Sequence, residues 1–301
     1  MTKMTQAPTP QQQTGILSTS ATDGTRRRRR KALRLWSVTA LAVLISFLLN
    51  LPLLNAINVS LKPDAQMNAP LSAPTTPTLE HYANALGAAG YDFPTFFLNS
   101  FLISLGTVGL ILIITVPACY AGLRLQFAKG LVVTSIIGLR LLPAIFFAIP
   151  IYVLFMTTGL LDTVVGLVLA NTLLNLPLAI VLLSSGINDL PQEIEEAARV
   201  DGASVYRILR AIVVPILAPT LVAVAVLTFL FSWNEYLFGL ILSSTQSTPI
   251  TVGAANFVTS YGIRWGDLSA LTVLSSIVPL GFAIFAQRFL VSGMTVGAVK
   301  G

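Results

Sequence analysis

The segment EEAARVDGASVYRILRAIVVP, from Glu195 to Pro215, sets three acids and three arginines between two long apolar stretches. Elsewhere charge is scarce: Asp, Glu, Lys and Arg make up 10% of the chain. These groups do not form a catalytic constellation. His81 is the one histidine, so neither a histidine-based metal cluster nor a histidine-dependent triad can be assembled, and no catalytic or metal-ligating residue is assigned. No lysine follows a glycine, which excludes a G-x-x-x-x-G-K-[ST] phosphate loop. What the segment offers is docking chemistry. Ala197 and Ala198 make a small-residue tip that permits close approach, and the flanking charges set register with a partner. The same residues would also serve in a solvated helical link.

Helical punctuation surrounds that tip. Asp189 is a candidate N-cap with Gln192 three residues on, and Pro191 suits a first turn. Glu193, Glu195 and Glu196 fall near the positive end of the helix dipole. Gly202 is placed to stop the helix in a left-handed conformation. Beyond it, Val205, Ile208, Leu209 and Ile212 follow the spacing of one helical face, with Arg207 and Arg210 off it. The connection 186–211 therefore predicts helix, glycine turn, helix.

The elements that must carry this elbow lie in a membrane. Of 301 residues 54% are hydrophobic, and the mean hydropathy is +0.81, too apolar for a soluble globule. Six runs approach the roughly 20 apolar residues a spanning helix needs: Leu35 to Ile57, Phe96 to Leu123, Leu131 to Phe155, Val164 to Leu183, Ile212 to Leu242 and Ala270 to Leu290. The expected class is an all-α polytopic membrane protein with six transmembrane helices.

Basic residues orient it. With the N-terminus in the cytoplasm, fifteen of the 18 Lys and Arg lie inside, Lys62 and Arg264 outside, and Arg140 within the third span. Both termini are then cytoplasmic in a multi-pass cell-membrane protein. Residues 1–34 form a basic tail, expected to be disordered because it is rich in Thr, Gln, Ser and Pro. Arg26 to Arg30 and Lys31 abut the first apolar run and so serve membrane orientation, not nucleic acid. Residues 35–290 form the membrane domain and 291–301 a cytoplasmic tail. Cys119, the single cysteine, lies in the second span as a packing residue, and His81 is expected on the surface of an outer loop.

A few polar residues within the spans are candidates for a pathway or gate. Arg140 is the most expensive, at about 2.5 to 3.5 kcal/mol near a helix centre, and Pro143 predicts a kink beside it. Asn171 and Asn175 share a helix face at i and i+4, suited to interhelical hydrogen bonds or to sugar hydroxyls. Asn234 and Glu235, beside Trp233 and Tyr236, would line the outer end of a pathway or mark an interfacial belt.

Glu196, Ala197 and Ala198, then Gly202, Ile212 and Pro215, stand at the spacing of the EAA signature of ABC importer permeases, with Val214 where that pattern prefers Leu. AQRFLVSGMTVGAVKG, Ala286 to Gly301, resembles the C-terminus of the carbohydrate branch, the MalG-like permeases. SLKP at Ser60, NS at Asn99 and WNEY at Trp233 are weaker echoes. The resemblance implies the type I permease fold, with the elbow as a coupling helix that fits a cleft on an ATPase. It implies that Glu195, Glu196, Ala197, Ala198, Arg199, Asp201 and Gly202 dock that ATPase, and that Gly297, Val299, Lys300 and Gly301 reach toward it. The implied partners are a second, MalF-like permease subunit, two ATP-binding subunits, an extracytoplasmic solute-binding protein and membrane lipid. ATP and Mg would sit on the partner subunits, with no cofactor in this chain and no enzymatic activity of its own. The solute class is a carbohydrate, with a di- or oligosaccharide of the trehalose or maltose type favoured over polyols and glycerol phosphates. An ion-coupled secondary transporter is the alternative, but it would want paired titratable groups near the midplane, where the sequence offers Arg140 and Glu235.

Overall fold

A computed structural model describes residues 10–69, 71–88, 91–127, 135–136, 138 and 142–297, with side-chain environments between 35 and 287. Its contacts divide the chain into two units, Met1–Asn55 and Ala56–Gly301. The first unit is built on helix α1 (Pro10–Ser60). The backbone is thus already helical at Pro10, where an irregular tail up to residue 34 is expected. Gln, Ala, Lys and Arg are good helix formers, and their propensity carries the fold through a polar stretch that has no apolar face.

In the second unit, a short α2 (Glu80–Ala83) precedes the long α3 (Phe93–Arg124). Asp92 caps α3 by accepting from the Thr95 amide, and Pro94 occupies its first turn. Then follow α4 (Ile145–Thr158) and α5 (Val164–Asn188), the latter capped by the Thr163 hydroxyl. The connection after α5 holds α6 (Gln192–Val200) and α7 (Val205–Ile208). Next come α8 (Val214–Ile216), α9 (Ala218–Trp233), α10 (Leu237–Leu242) and α11 (Ile250–Gly253). A two-residue hairpin, β1 (Val258–Thr259) against β2 (Gly262–Ile263), leads into α12 (Trp265–Gly297).

Among the described residues, four helical stretches are long and apolar enough to cross a membrane unaided: Leu35–Ser60, Phe93–Arg124, Val164–Asn188 and Trp265–Gln287. The expected fifth span is not one straight helix. Val205–Ile216 and Ala218–Trp233 meet at 75°, and the chain breaks again between Trp233 and Leu237. Pro219 explains the first break, because it cannot donate to the carbonyl of Pro215 four residues back. Of the expected third span, the second half is helix in α4, which runs on past Phe155 to Thr158, while most of its first half, Arg140 included, lies outside the described residues.

Packing gathers around α3, α5 and α9. One core joins Tyr120, Leu183, Ile187, Ile208, Val213 and Leu217, and thereby fixes the elbow to the ends of α3 and α5. A second, at the opposite end, stacks Phe229 on Trp233 and Phe282. A third packs α4 against α5 and α10 through Phe155, Leu167 and Phe238. Cys119 is buried in the first core, as a packing residue should be.

Away from the elbow, polar staples hold the loops. His81 is buried, 3% exposed, contrary to its expected place on a surface. Its Nδ1 lies 2.8 Å from Asp267 Oδ1 and its Nε2 is 2.7 Å from the Lys62 carbonyl oxygen. Asn84 donates to the same Asp267 oxygen and Arg264 pairs with the other. Gly266 makes room for this imidazole, since a Cβ there would stand 2.3 Å from the ring. Asn99 donates to the carbonyls of Gln246 and Thr248, and the Ser100 hydroxyl accepts from the Ile250 amide, so the NS pair of α3 anchors the loop before α11.

Asp162 secures the other end of that loop. Its carboxylate accepts from the amides of Ser244, Thr245, Gln246 and Ser247 and from three of their hydroxyls. Burial works to raise the pKa of this group. The hydrogen bonds from Ser244, Gln246 and Ser247 outweigh it and hold the carboxyl well below the usual carboxylate range.

Candidate functional site

The elbow between α5 and α9 is built from backbone geometry upward. Pro191, extended at φ −60° and ψ 127°, is the N-cap of α6 and offers no side-chain cap. The expected capping role of Asp189 falls elsewhere: it is the C-cap of α5. The helix stops as Gly202 predicts. At φ +80° the glycine is left-handed, its amide donates to the Arg199 carbonyl at 3.0 Å, and the Ala203 amide reaches back to the Ala198 carbonyl at 2.9 Å. Those two bonds make a Schellman closure. Ser204 then caps α7, its hydroxyl accepting from the Arg207 amide.

The second arm departs from a regular α-helix. Leu209–Val213 is a π turn, which adds one residue to the repeat. The buried positions are accordingly Ile208, Val213 and Leu217, whereas Val205 is exposed and Ile212 half-buried. Fixed i, i+3, i+4, i+7 spacing cannot anticipate that shift.

The residues expected to dock divide into two faces. Glu196, Ala197, Arg199, Asp201 and Gly202 are exposed, and Ala198 is half-buried. Exposed Ile194, Val200 and Tyr206 add apolar surface that the charge pattern of the sequence did not single out. Glu195 faces the other way and is 4% exposed. Tyr120 donates to its Oε2 at 2.8 Å, and Arg124 Nε stands 2.9 Å from its Oε1. The Arg124 guanidinium also donates to the carbonyls of Ile187 and Leu190, at 2.7 and 2.6 Å. Ile187 is in the last turn of α5, where its carbonyl also accepts from the Leu190 amide, and Leu190 lies just beyond it, so one arginine ties together α3, the end of α5 and α6.

The pathway candidates are brought together only in part. Asn171 and Asn175 share a buried face of α5, but their amide nitrogens donate to Leu167 and Asn171 carbonyls of their own helix, not to a neighbouring helix. The Asn171 Oδ1 is buried with no hydrogen-bond partner among the described residues. Asn234 is exposed and donates to the Leu230 carbonyl. Glu235 sits in the gap between α9 and α10, where its carboxylate accepts from the Phe238 and Gly239 amides. Asn175 and Glu235 border one cavity of about 300 Å³. Arg140, Val299, Lys300 and Gly301 lie outside the described residues, and Gly297 is the last residue of α12.

Similarity to known proteins points the same way as this architecture. The family profile described as binding-protein-dependent transport system inner membrane component matches residues 114–295. The trehalose transport system permease protein SugB of Mycobacterium tuberculosis is 34% identical over 255 residues, 83% of this chain and 92% of that protein. The trehalose/maltose transport system permease protein MalG of Thermococcus litoralis is 31% identical over 264 residues, 86% of this chain and 95% of that one. Among solved structures, a chain from a bacterial ABC transporter that imports the acidic polysaccharide alginate superposes with a TM-score of 0.67 at 20% identity, covering 85% of this chain and 96% of its own.

Proposed function

The chain belongs to the binding-protein-dependent transport system inner membrane components, and from that premise we propose that it is the permease subunit of an ATP-driven carbohydrate importer. It supplies half of a transmembrane pathway, with a second permease subunit supplying the other half. Two ATP-binding subunits with their ATP and Mg drive it from the cytoplasm, and an extracytoplasmic binding protein delivers the solute. The elbow faces the cytoplasm, as do both termini, in keeping with the basic residues on that side. A neutral di- or oligosaccharide of the trehalose or maltose type is the solute.

One observation carries this reading: the Schellman-closed turn at Gly202 presents Glu196, Ala197, Arg199 and Asp201 to solvent while Glu195, on the reverse face, is gripped by Arg124 and Tyr120. The exposed face docks the ATPase. Glu195 positions that face, and the short, capped path from α6 to α9 carries displacement into the membrane domain.

The test is a site-specific crosslink. An Ala197→Cys chain, co-assembled with its ATP-binding subunit and actively importing maltose or trehalose, joins to that subunit when a short bifunctional thiol reagent is added. Absence of a crosslink in a working importer, or uptake that persists without ATP on a proton gradient alone, refutes the assignment.

A further inference from the structure

We propose that the cavity between α4, α5 and the α9–α10 gap is a sugar subsite within this subunit, taking one neutral pyranose ring. The proposal rests on the carbohydrate reading above and adds where, in this chain, the solute is held. Leu142, Phe147, Asn175, Pro177, Phe231 and Glu235 are among the residues that line about 300 Å³. That volume lies at the lower end of small-molecule pockets, and the lining is mostly apolar with few polar groups, as such pockets are.

Glu235 is the first reason. A carboxylate within an apolar span is costly, on the order of 2.5 to 3.5 kcal/mol at a helix centre, so the cavity it borders opens to water or protein and not to lipid. Its bonds to the Phe238 and Gly239 amides satisfy the start of α10. A neutral Ser or Asn caps a helix about as well, so capping alone does not account for a charge here. An ionised carboxylate has roughly four acceptor sites, and hydroxyl donors in the cavity can fill those the amides leave.

The second reason is what stands around it. Asn175 spends one N–H on the Asn171 carbonyl, and its amide oxygen accepts from no group among the described residues. It therefore offers a donor and an acceptor, the pair a sugar hydroxyl can use at once. Phe147 and Phe231 bring aromatic rings to the same cavity, and the C–H face of a pyranose packs on such rings while its hydroxyl edge faces the polar groups. Among the described residues no second titratable side chain is in this lining, and no three His, Cys, Asp or Glu side chains gather to hold a cation. When ionised, the Glu235 carboxylate also selects: neutral sugars are accepted, and phosphorylated polyols are repelled. A broken span beside a solute site is a recurring arrangement in transporters, since the unwound turn frees polar groups within the membrane.

The experiment uses the importer assembled with its second permease subunit, ATP-binding subunits and binding protein in proteoliposomes. Phe231→Trp serves as a reporter. Maltose and trehalose, titrated without the binding protein, change its emission saturably; glycerol 3-phosphate does not. Glu235→Gln, which keeps an oxygen for the Phe238 amide, and Asn175→Ala each weaken that response about tenfold or more, the scale of a lost hydrogen bond to a polar or charged site. Should Asn175→Ala fail to assemble, Glu235→Gln decides the matter. If the unaltered importer carries maltose or trehalose but emission does not respond, or responds with the same affinity in both variants, the subsite is refuted while the carbohydrate reading stands. If glycerol 3-phosphate is carried and neither sugar is, both fail.

Discussion

Arg124 Nε stands 2.9 Å from Glu195 Oε1, with side chains 7% and 5% exposed, and this pair fastens α6 to the end of α3. Removing one partner leaves the other charge buried and uncompensated, at a cost of about 3 to 5 kcal/mol. Glu195→Ala should therefore free α6 locally: amide exchange over 192–200 rises, and solute-stimulated ATP hydrolysis in the assembled importer falls steeply. Replacing both, Arg124→Met with Glu195→Leu, should restore much of the lost protection. Equal loss in single and double variants would show that the charge pair does not position the helix.

At Gly202 a Cβ would meet nothing within 4 Å, so a substitution there is felt through the backbone alone. Gly202→Ala must hold φ +80°, costing about 1 to 2 kcal/mol, and uptake should drop partially. Gly202→Pro removes the amide that donates to Arg199 and forces φ negative, so uptake should vanish while the chain still inserts. Measuring uptake against membrane-inserted protein separates the two.

Asp162 gives a pH prediction with a definite sign. Its carboxyl is held below the usual range in the folded chain, so its contribution is in place above the ordinary carboxylate value near 4 and is lost as pH falls through the depressed value. Cleavage of the loop at 244–247 by a protease active in acid should thus stay low from neutrality to below pH 4. Asp162→Ala should expose the loop to cleavage at every pH.

Gly266 and Gly281 lie on the same helix and make an internal control. A methyl at Gly266 would enter the His81 ring at 2.3 Å, whereas one at Gly281 meets nothing within 4 Å. Gly266→Ala should lower the thermal midpoint in detergent, by the equivalent of about 1 to 3 kcal/mol of overpacking. Gly281→Ala should hold or raise it, because alanine favours helix.

The sequence makes the long helices legible, because α3, α5 and α12 depend on local apolar content that a window can count. It also reveals the elbow, whose glycine and charges are local signals. Contacts between distant residues are another matter. Glu195 and Glu196 look alike in sequence, and only the arrival of Tyr120 and Arg124 from α3 turns one inward. His81 looks like a loop residue until Asp267, 186 positions away, meets it. The breaks in the fifth stretch are hidden from a hydropathy window because the apolar residues on either side outweigh Asn234 and Glu235, and Pro219 in the sequence does not by itself fix a 75° bend. Of the candidate pathway residues, Asn175 and Glu235 are joined by the fold, 60 positions apart, by a cavity that no periodicity encodes.

The 75° angle between Val205–Ile216 and Ala218–Trp233 sets the direction in which the proposed coupling would deliver motion to the bundle. A thrust along the first rod reaches the second almost crosswise, so it swings α9 sideways instead of sliding it lengthwise. On the coupling role proposed above, the unit would work as a crank with its bearing at Leu217, a stroke at its foot displacing the far end at Trp233.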